Sequence, residues 1–192
     1  MPNYSKWRDN AWRFIPRASY DAVTNMALDE VIRKYVAESG RPTIRFYDWK
    51  PWAVSLGYNQ SLEDVDLEKC SAYGLDVVRR ASGGGAVVHA GGITYSIAVP
   101  RSSLGKGNLH EQRDLLYQKV TKLITSSLES FEVRAVVRNK TDIIVHERKI
   151  SGSSSSFKLV PGTRDSVWVM HGEIFYDLGI GMLAAVYKKD EA

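Results

Sequence analysis

The amino-acid sequence predicts a single α+β domain in which a mixed, largely antiparallel sheet is flanked by helices. Three observations favour this class. The 192 residues are 44% hydrophobic and 25% charged, which is ordinary for one globular domain with a buried core. Short runs of β-branched and aromatic residues alternate irregularly with helical patterns. Two pairs of these runs are joined by short turn-like segments, a pattern that is typical of hairpins and antiparallel pairing.

The first half of the chain is predicted to hold four strands and two helices. In order, these are a strand at residues 12–15, a helix after the N-cap Ser19, neighbouring strands at 43–47 and 53–58, a helix at 62–73 and a strand at 75–80. The Ser19 hydroxyl can accept a hydrogen bond from the first helical turn, and apolar residues recur behind it at three-to-four spacing. Gly40 and Gly74 are expected to end the helices, because glycine readily adopts a left-handed conformation.

The second half is predicted to hold two hairpins, a long helix, a strand and a short helix. In order, these are strands at 86–89 and 94–99 paired around Gly91-Gly92, a helix at 109–131, a hairpin of strands 143–145 and 148–150, a strand at 167–175 and a helix at 181–187. The long helix carries one apolar stripe, which indicates packing on a core. The four serines at 153–156 are interpreted as a flexible connector, and the polar residues 159–165 as a mobile loop.

Charge and targeting signals limit the function classes. The formal net charge is +4, from 26 Lys and Arg against 22 Asp and Glu that are interleaved along the chain. This mild bias favours an anionic ligand or an acidic protein partner, and no long basic block indicates nucleic-acid binding. No apolar run approaches the ~20 residues that cross a bilayer, and residues 1–7 lack the layout of a signal peptide. We therefore expect a cytoplasmic protein without membrane association. Cys70 is the single cysteine, which excludes an internal disulfide.

The most informative segment is residues 79–89, Arg-Arg-Ala-Ser-Gly-Gly-Gly-Ala-Val-Val-His. The three glycines allow backbone N–H groups to converge on an anion, and Arg79 and Arg80 supply forked donors for phosphate or carboxylate. The segment is neither a Walker loop nor the spaced glycines of a dinucleotide fold. The alternative is a flexible entry to a hairpin beside solvated arginines.

A second segment places Lys149 in a β-type run just before Ser151-Gly152. Strand alternation makes Lys149 face opposite to Arg148 and Ile150, so that one basic side chain can point into a cleft. A lysine there could neutralise charge that develops on a phosphate or acyl oxygen. The alternative is a surface lysine without a catalytic role, which is the commoner situation for this residue type.

These two motifs, in this order and surrounding sequence, resemble the lipoate–protein ligase A family and its relatives, the octanoyl and lipoyl transferases and the biotin–protein ligases. The resemblance covers nearly the whole chain. It includes Asn-Met-Ala-Leu-Asp-Glu at 25–30, Arg-Phe-Tyr-Asp-Trp-Lys-Pro at 45–51, the glycine segment at 79–89, Arg-Lys-Ile-Ser-Gly-Ser at 148–153 and His-Gly at 171–172. Several motifs in the right order are far more specific than one alone.

The resemblance implies the catalytic-domain fold of biotin and lipoate ligases, and it implies their chemistry. The carboxylate of lipoate or octanoate attacks the α-phosphate of ATP, with Mg²⁺ present, and the acyl-adenylate is captured by a lysine of a lipoyl-carrier domain. Lys149 takes the catalytic role, and Asp142 lies where relatives approach the nucleotide and its metal. Adenylate and substrate binding is assigned to Arg79, Arg80, Ser82, Gly83, Gly84, Gly85, Ala86, Val87, His89, Asp142 and Gly152.

The sequence departs from the pattern of relatives at two places. Relatives commonly carry Asp directly after the motif histidine, whereas this chain has Ala90. The octanoyltransferase branch uses a cysteine nucleophile a little before the lysine motif, yet residues 132–149 contain none. Cys70, in a predicted helix, is interpreted as a buried structural thiol. The leading hypothesis is an ATP-dependent lipoate–protein ligase. The alternatives are a transferase that takes a preformed acyl donor and a non-catalytic binding module of the same fold.

The resemblance also leads to an expectation about domains and partners. Self-sufficient ligases of the family carry a C-terminal accessory domain, whereas residues 1–192 are expected to form one catalytic domain without it. We therefore expect this chain to transfer from an adenylate better than it makes one, and a separate small accessory subunit is a candidate partner. The expected acceptors are lipoyl-carrier domains of the 2-oxoacid dehydrogenase E2 or glycine cleavage H protein type.

Overall fold

The computed structural model describes residues 11–163, 165–176 and 180–188. Trp7, which the sequence suggests as a core or rim residue, and the charged end of the chain at 189–192 lie outside the described residues. The strands are β1 (Arg13–Tyr20), β2 (Thr43–Trp49), β3 (Ala53–Leu56), β4 (Asp76–Arg79), β5 (Val87–His89), β6 (Gly92–Pro100), β7 (Val136–Arg138), β8 (Asp142–Val145), β9 (Arg148–Leu159) and β10 (Ser166–Phe175). The α-helices are α1 (Ala22–Ser39), α2 (Leu67–Ala72), α3 (Leu109–Glu129) and α4 (Ile180–Val186).

The strands form two sheets. The large sheet has seven strands in the order β1-β2-β6-β10-β9-β8-β7, and the small sheet has three in the order β4-β3-β5. The pairs β1–β2 and β3–β4 are parallel, and the other pairs are antiparallel. The predicted class, a mixed and largely antiparallel sheet flanked by helices, is confirmed.

The large sheet is covered on both faces. On one face, Leu116 and Val120 of α3 pack against Met170 of the central strand β10. On the other face, Val36 of α1 packs in a cluster with Val169 of the same strand. This alternation follows from strand geometry, because successive residues of β10 point to opposite faces. His171 and Glu173 therefore project on the α1 face, and this is the face that carries the functional side chains described below.

The small sheet has a core of its own. Val54, Val65 and Cys70 are buried there together with Val88 and Val186. Helices α2 and α4 supply Cys70 and Val186, so the two short helices cover this sheet. None of the described helices is long and apolar enough to span a membrane.

Most predicted elements are present, but the start of α1 is two residues later than expected. Ser19 is not the N-cap, because it belongs to β1 and pairs with Asp48. The N-cap is Asp21, whose carboxylate accepts hydrogen bonds from the backbone N–H of Thr24 at 2.8 Å and from its hydroxyl at 2.7 Å. Gly40 ends the helix in a left-handed conformation, with φ of 67°, as predicted.

Two predicted strand pairings are wrong. The runs at 43–47 and 53–58 are strands, but β2 belongs to the large sheet and β3 to the small one. The runs around Gly91-Gly92 are also strands rather than a hairpin, because β5 pairs with β3 while β6 lies between β2 and β10. Gly91, with φ of 85°, takes the chain from one sheet to the other. Both segments therefore cross between sheets instead of turning back.

Two further segments differ from expectation. The predicted helix at 62–73 is split into a 3-10 turn, Leu62–Asp64, and α2, because Val65 is extended and Asp66 starts a new helix as N-cap. The four serines at 153–156 are not a connector: they lie inside β9, in register with residues of β10. The predicted hairpin of β8 and β9 is confirmed, and its turn is made by His146 and Glu147 with positive φ.

Candidate active site

The glycine segment forms a loop between the two outer strands of the small sheet. This glycine loop, residues 82–86, connects β4 to β5 and lies against Gly57 at the end of β3. A Cβ on Gly57 would fall 1.8 Å from the carbonyl oxygen of Gly84, which no side chain can tolerate. Gly84 itself has a φ of 98°, a conformation that favours glycine. The sequence therefore needs glycine on both sides of this contact.

Arg80 holds the glycine loop by its backbone carbonyls, and Arg79 holds the neighbouring segment that follows β3. Nη1 of Arg79 donates to the carbonyl of Gly57 at 2.7 Å. Arg80 is buried, and its Nη2 donates to the carbonyls of Gly83 at 2.8 Å and Gly85 at 2.7 Å. Burial lowers the pKa of Arg80 to about 10. Both guanidinium groups thus donate to backbone carbonyls of this chain, and their predicted role as donors to a ligand anion stays a prediction.

His89 stands in a buried chain of polar groups that joins the two sheets. Its Nε2 lies 2.8 Å from Oγ of Ser55, its Nδ1 contacts the carboxylate of Glu173, and its ring stacks on Trp49 at 4.0 Å. A carboxylate only accepts, so Nδ1 carries the proton and Nε2 accepts from the Ser55 hydroxyl. Ser55 accepts in turn from Nη1 of Arg80 at 3.2 Å. Each group in this chain therefore donates a hydrogen bond to the next, from Arg80 behind the glycine loop to Glu173 on the large sheet.

Glu173 was not identified from the sequence. It is 3% exposed and lies 84 residues from its partner His89. His89 thus receives a carboxylate from Glu173 of β10, while Ala90 packs in the small-sheet core. One signal was available: strand alternation places Glu173 on the same face as His171, two residues earlier.

A second polar chain runs parallel to the first. Ser82, the first residue of the glycine loop, contacts Nε2 of His171 through its hydroxyl. Nδ1 of His171 lies 3.5 Å from Oδ2 of Asp29 on α1, and Oδ1 of Asp29 accepts from the buried Arg45 at 3.1 Å. Ser82 is among the predicted site residues, whereas Asp29, His171 and Arg45 appeared only within matched motifs and had no role assigned.

Lys149 lies at the start of β9, beside the predicted Asp142. Its Nζ is 2.8 Å from Oδ1 of Asp142, and its side chain is 53% exposed. The chain of Lys149 lies over Gly152, where a Cβ would come within 2.9 Å of its Cε. Gly152 pairs with Glu173 across the sheet. The structure therefore brings Lys149, Asp142 and Gly152 together on the α1 face, next to the two polar chains.

Two cavities border these groups. The larger, about 520 Å³, is lined by the ring side chains Trp49, Trp52, His89 and Tyr176 together with Glu173. We call it the aromatic cavity. The smaller, about 210 Å³, lies between α1 and the residues just before the glycine loop. Its lining has an apolar part, Met26, Ala81 and Val169, and many charged or polar members, Asp29, Glu30, Arg33, Tyr58, Arg79, Arg80, Ser156, Lys158 and His171. We call it the α1 cavity. Apolar and charged side chains therefore share the wall of this cavity, to which His171 also belongs.

Cys70 belongs to the core of the small sheet and to neither of the two polar chains. It is 1% exposed in the core of the small sheet, and burial raises the pKa of its thiol. The predicted burial of the thiol is confirmed, and its purely structural role stays a prediction. Within the described part of the chain, no three His, Cys, Asp or Glu side chains come together as a metal site. A role for Asp142 toward Mg²⁺ stays a prediction.

Comparison with known proteins decides the family. The family model described as the lipoyl protein ligase A/B catalytic domain matches residues 21–192. The chain belongs to this family. It is 31% identical to the octanoyltransferase LipM of Clostridioides difficile, over 93% of this chain and 70% of that protein. It is 32% identical to the LipM of Geobacillus kaustophilus, over 92% of this chain and 69% of that protein. The chain is thus an enzyme of the lipoate ligase and octanoyltransferase family.

Solved structures agree on the fold. The bipartite lipoate protein ligase of Thermoplasma acidophilum, studied with its E2 lipoyl domain, superposes with a TM-score of 0.77 at 24% identity, over 95% of this chain and 68% of that one. Lipoate-protein ligase A bound with ATP superposes with a TM-score of 0.73 at 24% identity, over 93% and 71%. The expected catalytic-domain fold of lipoate ligases is confirmed.

Proposed function

We propose that this enzyme is an acyltransferase that moves an octanoyl or lipoyl group from a preformed acyl donor to a lysine of a lipoyl-carrier domain. The observation that carries the proposal is the similarity to octanoyltransferases, which extends over 93% of this chain and 70% of the relative. We therefore favour the transferase alternative over the ATP-dependent ligase that the motifs first suggested.

The geometry around Lys149 suits acyl transfer. An acyl carbonyl that is attacked by a nucleophile becomes a tetrahedral oxyanion, which is stabilised by donors fixed in advance. Asp142 holds the Lys149 ammonium at 2.8 Å, while the exposed side of that ammonium is open to a ligand. Its place over Gly152 puts this positive charge on the face where the glycine loop, His89 and His171 also lie. Lys149 would then act on the acyl oxygen in the transition state.

The α1 cavity would take the acyl chain. Met26, Ala81 and Val169 form its apolar part, while charged side chains, among them Arg33 and Lys158, form the rest. Burying hydrocarbon against such walls contributes about 0.8 kcal/mol per methylene, so a chain of eight carbons gains more than a short one. We therefore expect octanoyl donors to be preferred over acetyl or butyryl donors.

A lipoyl domain is the first acceptor to test, because the Thermoplasma acidophilum ligase was studied with its E2 lipoyl domain. The chain is incubated with an octanoyl thioester on acyl carrier protein and an apo lipoyl domain, without ATP. We expect the lipoyl domain to gain the mass of one octanoyl group. Modification that occurs only with free octanoate, ATP and Mg²⁺ would contradict the transferase proposal.

A second candidate, ATP-dependent ligation, is favoured by one specific observation. The branch that transfers through cysteine needs a thiol before the lysine motif, whereas Cys70 is buried in the small-sheet core. In ligation, ATP and Mg²⁺ are substrates, and Mg²⁺ often binds one or two carboxylates together with phosphate oxygens. Asp142 could be that carboxylate. Release of AMP with lipoate, ATP and Mg²⁺, measured with and without a candidate accessory subunit, distinguishes this reaction.

A further inference from the structure

Three buried polar atoms converge on the face of the large sheet that α1 covers. They are Oδ2 of Asp29, the Tyr47 hydroxyl and the Ser96 hydroxyl, and none has a hydrogen-bond partner among the residues that the structure describes. The three residues are 6%, 1% and 2% exposed. A buried polar atom without a partner loses its hydration and gains nothing in return, so native proteins seldom leave such atoms unsatisfied.

The sheet register places Ser96 between Arg45 and His171. On β6, Ser96 is directly opposite Arg45 of β2 on one side and His171 of β10 on the other. Directly opposite side chains project to the same face, with Cβ atoms about 4.5–5.5 Å apart. Asp29 of α1 reaches over this row, because its Oδ1 accepts from Arg45 at 3.1 Å and its Oδ2 lies 3.5 Å from Nδ1 of His171. The Asp29 carboxylate therefore lies over the Ser96 side chain.

Tyr47 brings a second hydroxyl to the same place. It follows Arg45 by two residues on β2 and so projects to the same face, and the Arg45 guanidinium lies 3.8 Å from its ring centroid. Burial raises the pKa of the Tyr47 phenol, and the nearby charge of Asp29 raises it further. The Tyr47 hydroxyl therefore lies close to Asp29. We call the space that Asp29, Tyr47, Ser96 and His171 enclose the polar pocket.

Hydrogen-bond chemistry selects the occupant of the polar pocket. Oδ2 of Asp29 can only accept, whereas the hydroxyl groups of Tyr47 and Ser96 can donate and accept. A cation would be repelled by the buried Arg45, which already pairs with Asp29, and an anion would be repelled by the carboxylate. Water is neutral, donates as well as accepts, and typically makes about three hydrogen bonds when it is buried. A single water molecule therefore satisfies all three atoms.

We propose that the polar pocket binds one structural water molecule, through which Asp29 positions the His171 ring. The water donates to Oδ2 of Asp29 and accepts from the Tyr47 hydroxyl, with the Ser96 hydroxyl as its third partner. Asp29 and His171 both line the α1 cavity, which gives the water its route of entry. The proposal goes beyond the proposed function and does not depend on it, since no acyl group takes part.

The water completes a contact that the protein atoms alone leave too long. The 3.5 Å between Oδ2 of Asp29 and Nδ1 of His171 exceeds the usual N–H···O distance of about 2.7–3.2 Å. A water beside both atoms accepts from Nδ1–H and donates to the carboxylate. With the proton held on Nδ1, Nε2 of His171 accepts from the Ser82 hydroxyl. Asp29 is thus a positioning residue that acts on the ring through the water.

The first test locates the water in the whole wild-type chain. A crystal structure that resolves ordered water should show one peak within about 3.2 Å of Oδ2 of Asp29, the Tyr47 hydroxyl and the Ser96 hydroxyl. The proposal is overturned if the Asp29 carboxylate bonds directly to one of these hydroxyl groups with no peak beside it. A metal ion at the peak, identified by anomalous scattering, would overturn it equally.

The second test uses the His171 ring as a reporter in solution. The protein is isotopically labelled at its histidine nitrogens, His171→Gln assigns the resonances, and spectra are recorded at a pH where the ring is neutral. We expect the wild-type proton on Nδ1. Ser96→Val replaces the hydroxyl by a methyl group in a shape that suits a strand, so it should displace the water and move His171 toward the Nε2–H tautomer.

Ser154→Val is the matched control, because Ser154 is opposite His171 on the other side of β10. It should leave the tautomer of His171 as in the wild type. A wild-type proton on Nε2, or a folded Ser96→Val protein with the wild-type tautomer, would overturn the positioning role. If Ser96→Val does not fold, the wild-type spectrum and the crystal structure decide. Neither measurement involves acyl transfer, so failure of the proposed function would leave both results unchanged.

Discussion

Replacement of Glu173 by alanine tests the buried link between the two sheets. Glu173 and His89 are both at least nine-tenths buried, and the Glu173 carboxylate contacts Nδ1 of His89. Removing the carboxylate leaves two buried donors without their acceptor, Nδ1–H of His89 and the hydroxyl of Thr94, and each such loss costs about 1–3 kcal/mol. For a chain of this length each kcal/mol lowers Tm by about 2–4 °C. We therefore expect Glu173→Ala to lower Tm by about 10 °C.

The control is an exposed glutamate that also contacts a basic side chain. Lys34 and Glu38 lie one helical turn apart at 3.9 Å, and both side chains are exposed. Since exposed pairs contribute at most about 1 kcal/mol, Glu38→Ala should change Tm by no more than about 4 °C. Urea unfolding and thermal unfolding measure both variants. The reasoning is refuted if Glu173→Ala and Glu38→Ala differ by less than 1 kcal/mol in the free energy of unfolding.

Three further predictions follow from single side chains. Gly152→Ala should lower the transfer rate about tenfold while the free energy of unfolding changes by less than about 1 kcal/mol, because its Cβ would displace the flexible end of Lys149, 2.9 Å away. Equal rates for variant and wild type would contradict this. Burial raises the pKa of Tyr95 to about 12. Tyr95 therefore ionises at a lower pH in the unfolded chain than in the folded one. The free energy of unfolding should fall by roughly 2–3 kcal/mol as the pH rises from 10 to 12. In Tyr95→Phe, the free energy of unfolding measured with urea should depend less on pH over this range. A pH dependence equal to that of the wild type would contradict the prediction. Cys70→Ala should keep the transfer rate within about twofold, since the thiol is a core group, and loss of transfer in the folded variant would restore a thioester route.

The helices and strands were predicted from local sequence patterns, and the errors concern which strands pair with one another over long sequence distances. The hairpin of β8 and β9 was predictable because its two strands are separated by two residues, His146 and Glu147. The pairing of β2, β3, β5 and β6 was not, since each of these strands takes partners that are distant in sequence. The serines of β9 lack the branched side chains that mark a strand, yet β10 provides a complete set of partners for them.

The same distinction applies to the site. The glycine loop and Lys149 stand in contiguous motifs, so their residue types were recognisable from the sequence. Their partners were not, because the contact of Ser82 with His171 spans 89 residues. The carboxylate that His89 contacts comes from Glu173, 84 residues away. Whether a polar residue in a strand is buried, and against which partner, depends on elements that come from elsewhere in the chain. These two pairs could therefore be identified only in the structure.

The most direct test of the account is the rate at which octanoyl reaches a lysine of an apo lipoyl domain from an octanoyl thioester, with ATP enzymatically removed. Wild-type protein should transfer catalytically under these conditions. Lys149→Met should lower kcat about a hundred- to a thousand-fold, as expected for loss of a fixed donor to the developing oxyanion. Lys122→Met, an exposed position on α3, should leave kcat unchanged. Transfer that requires ATP, or equal rates for Lys149→Met and wild type, would contradict the account.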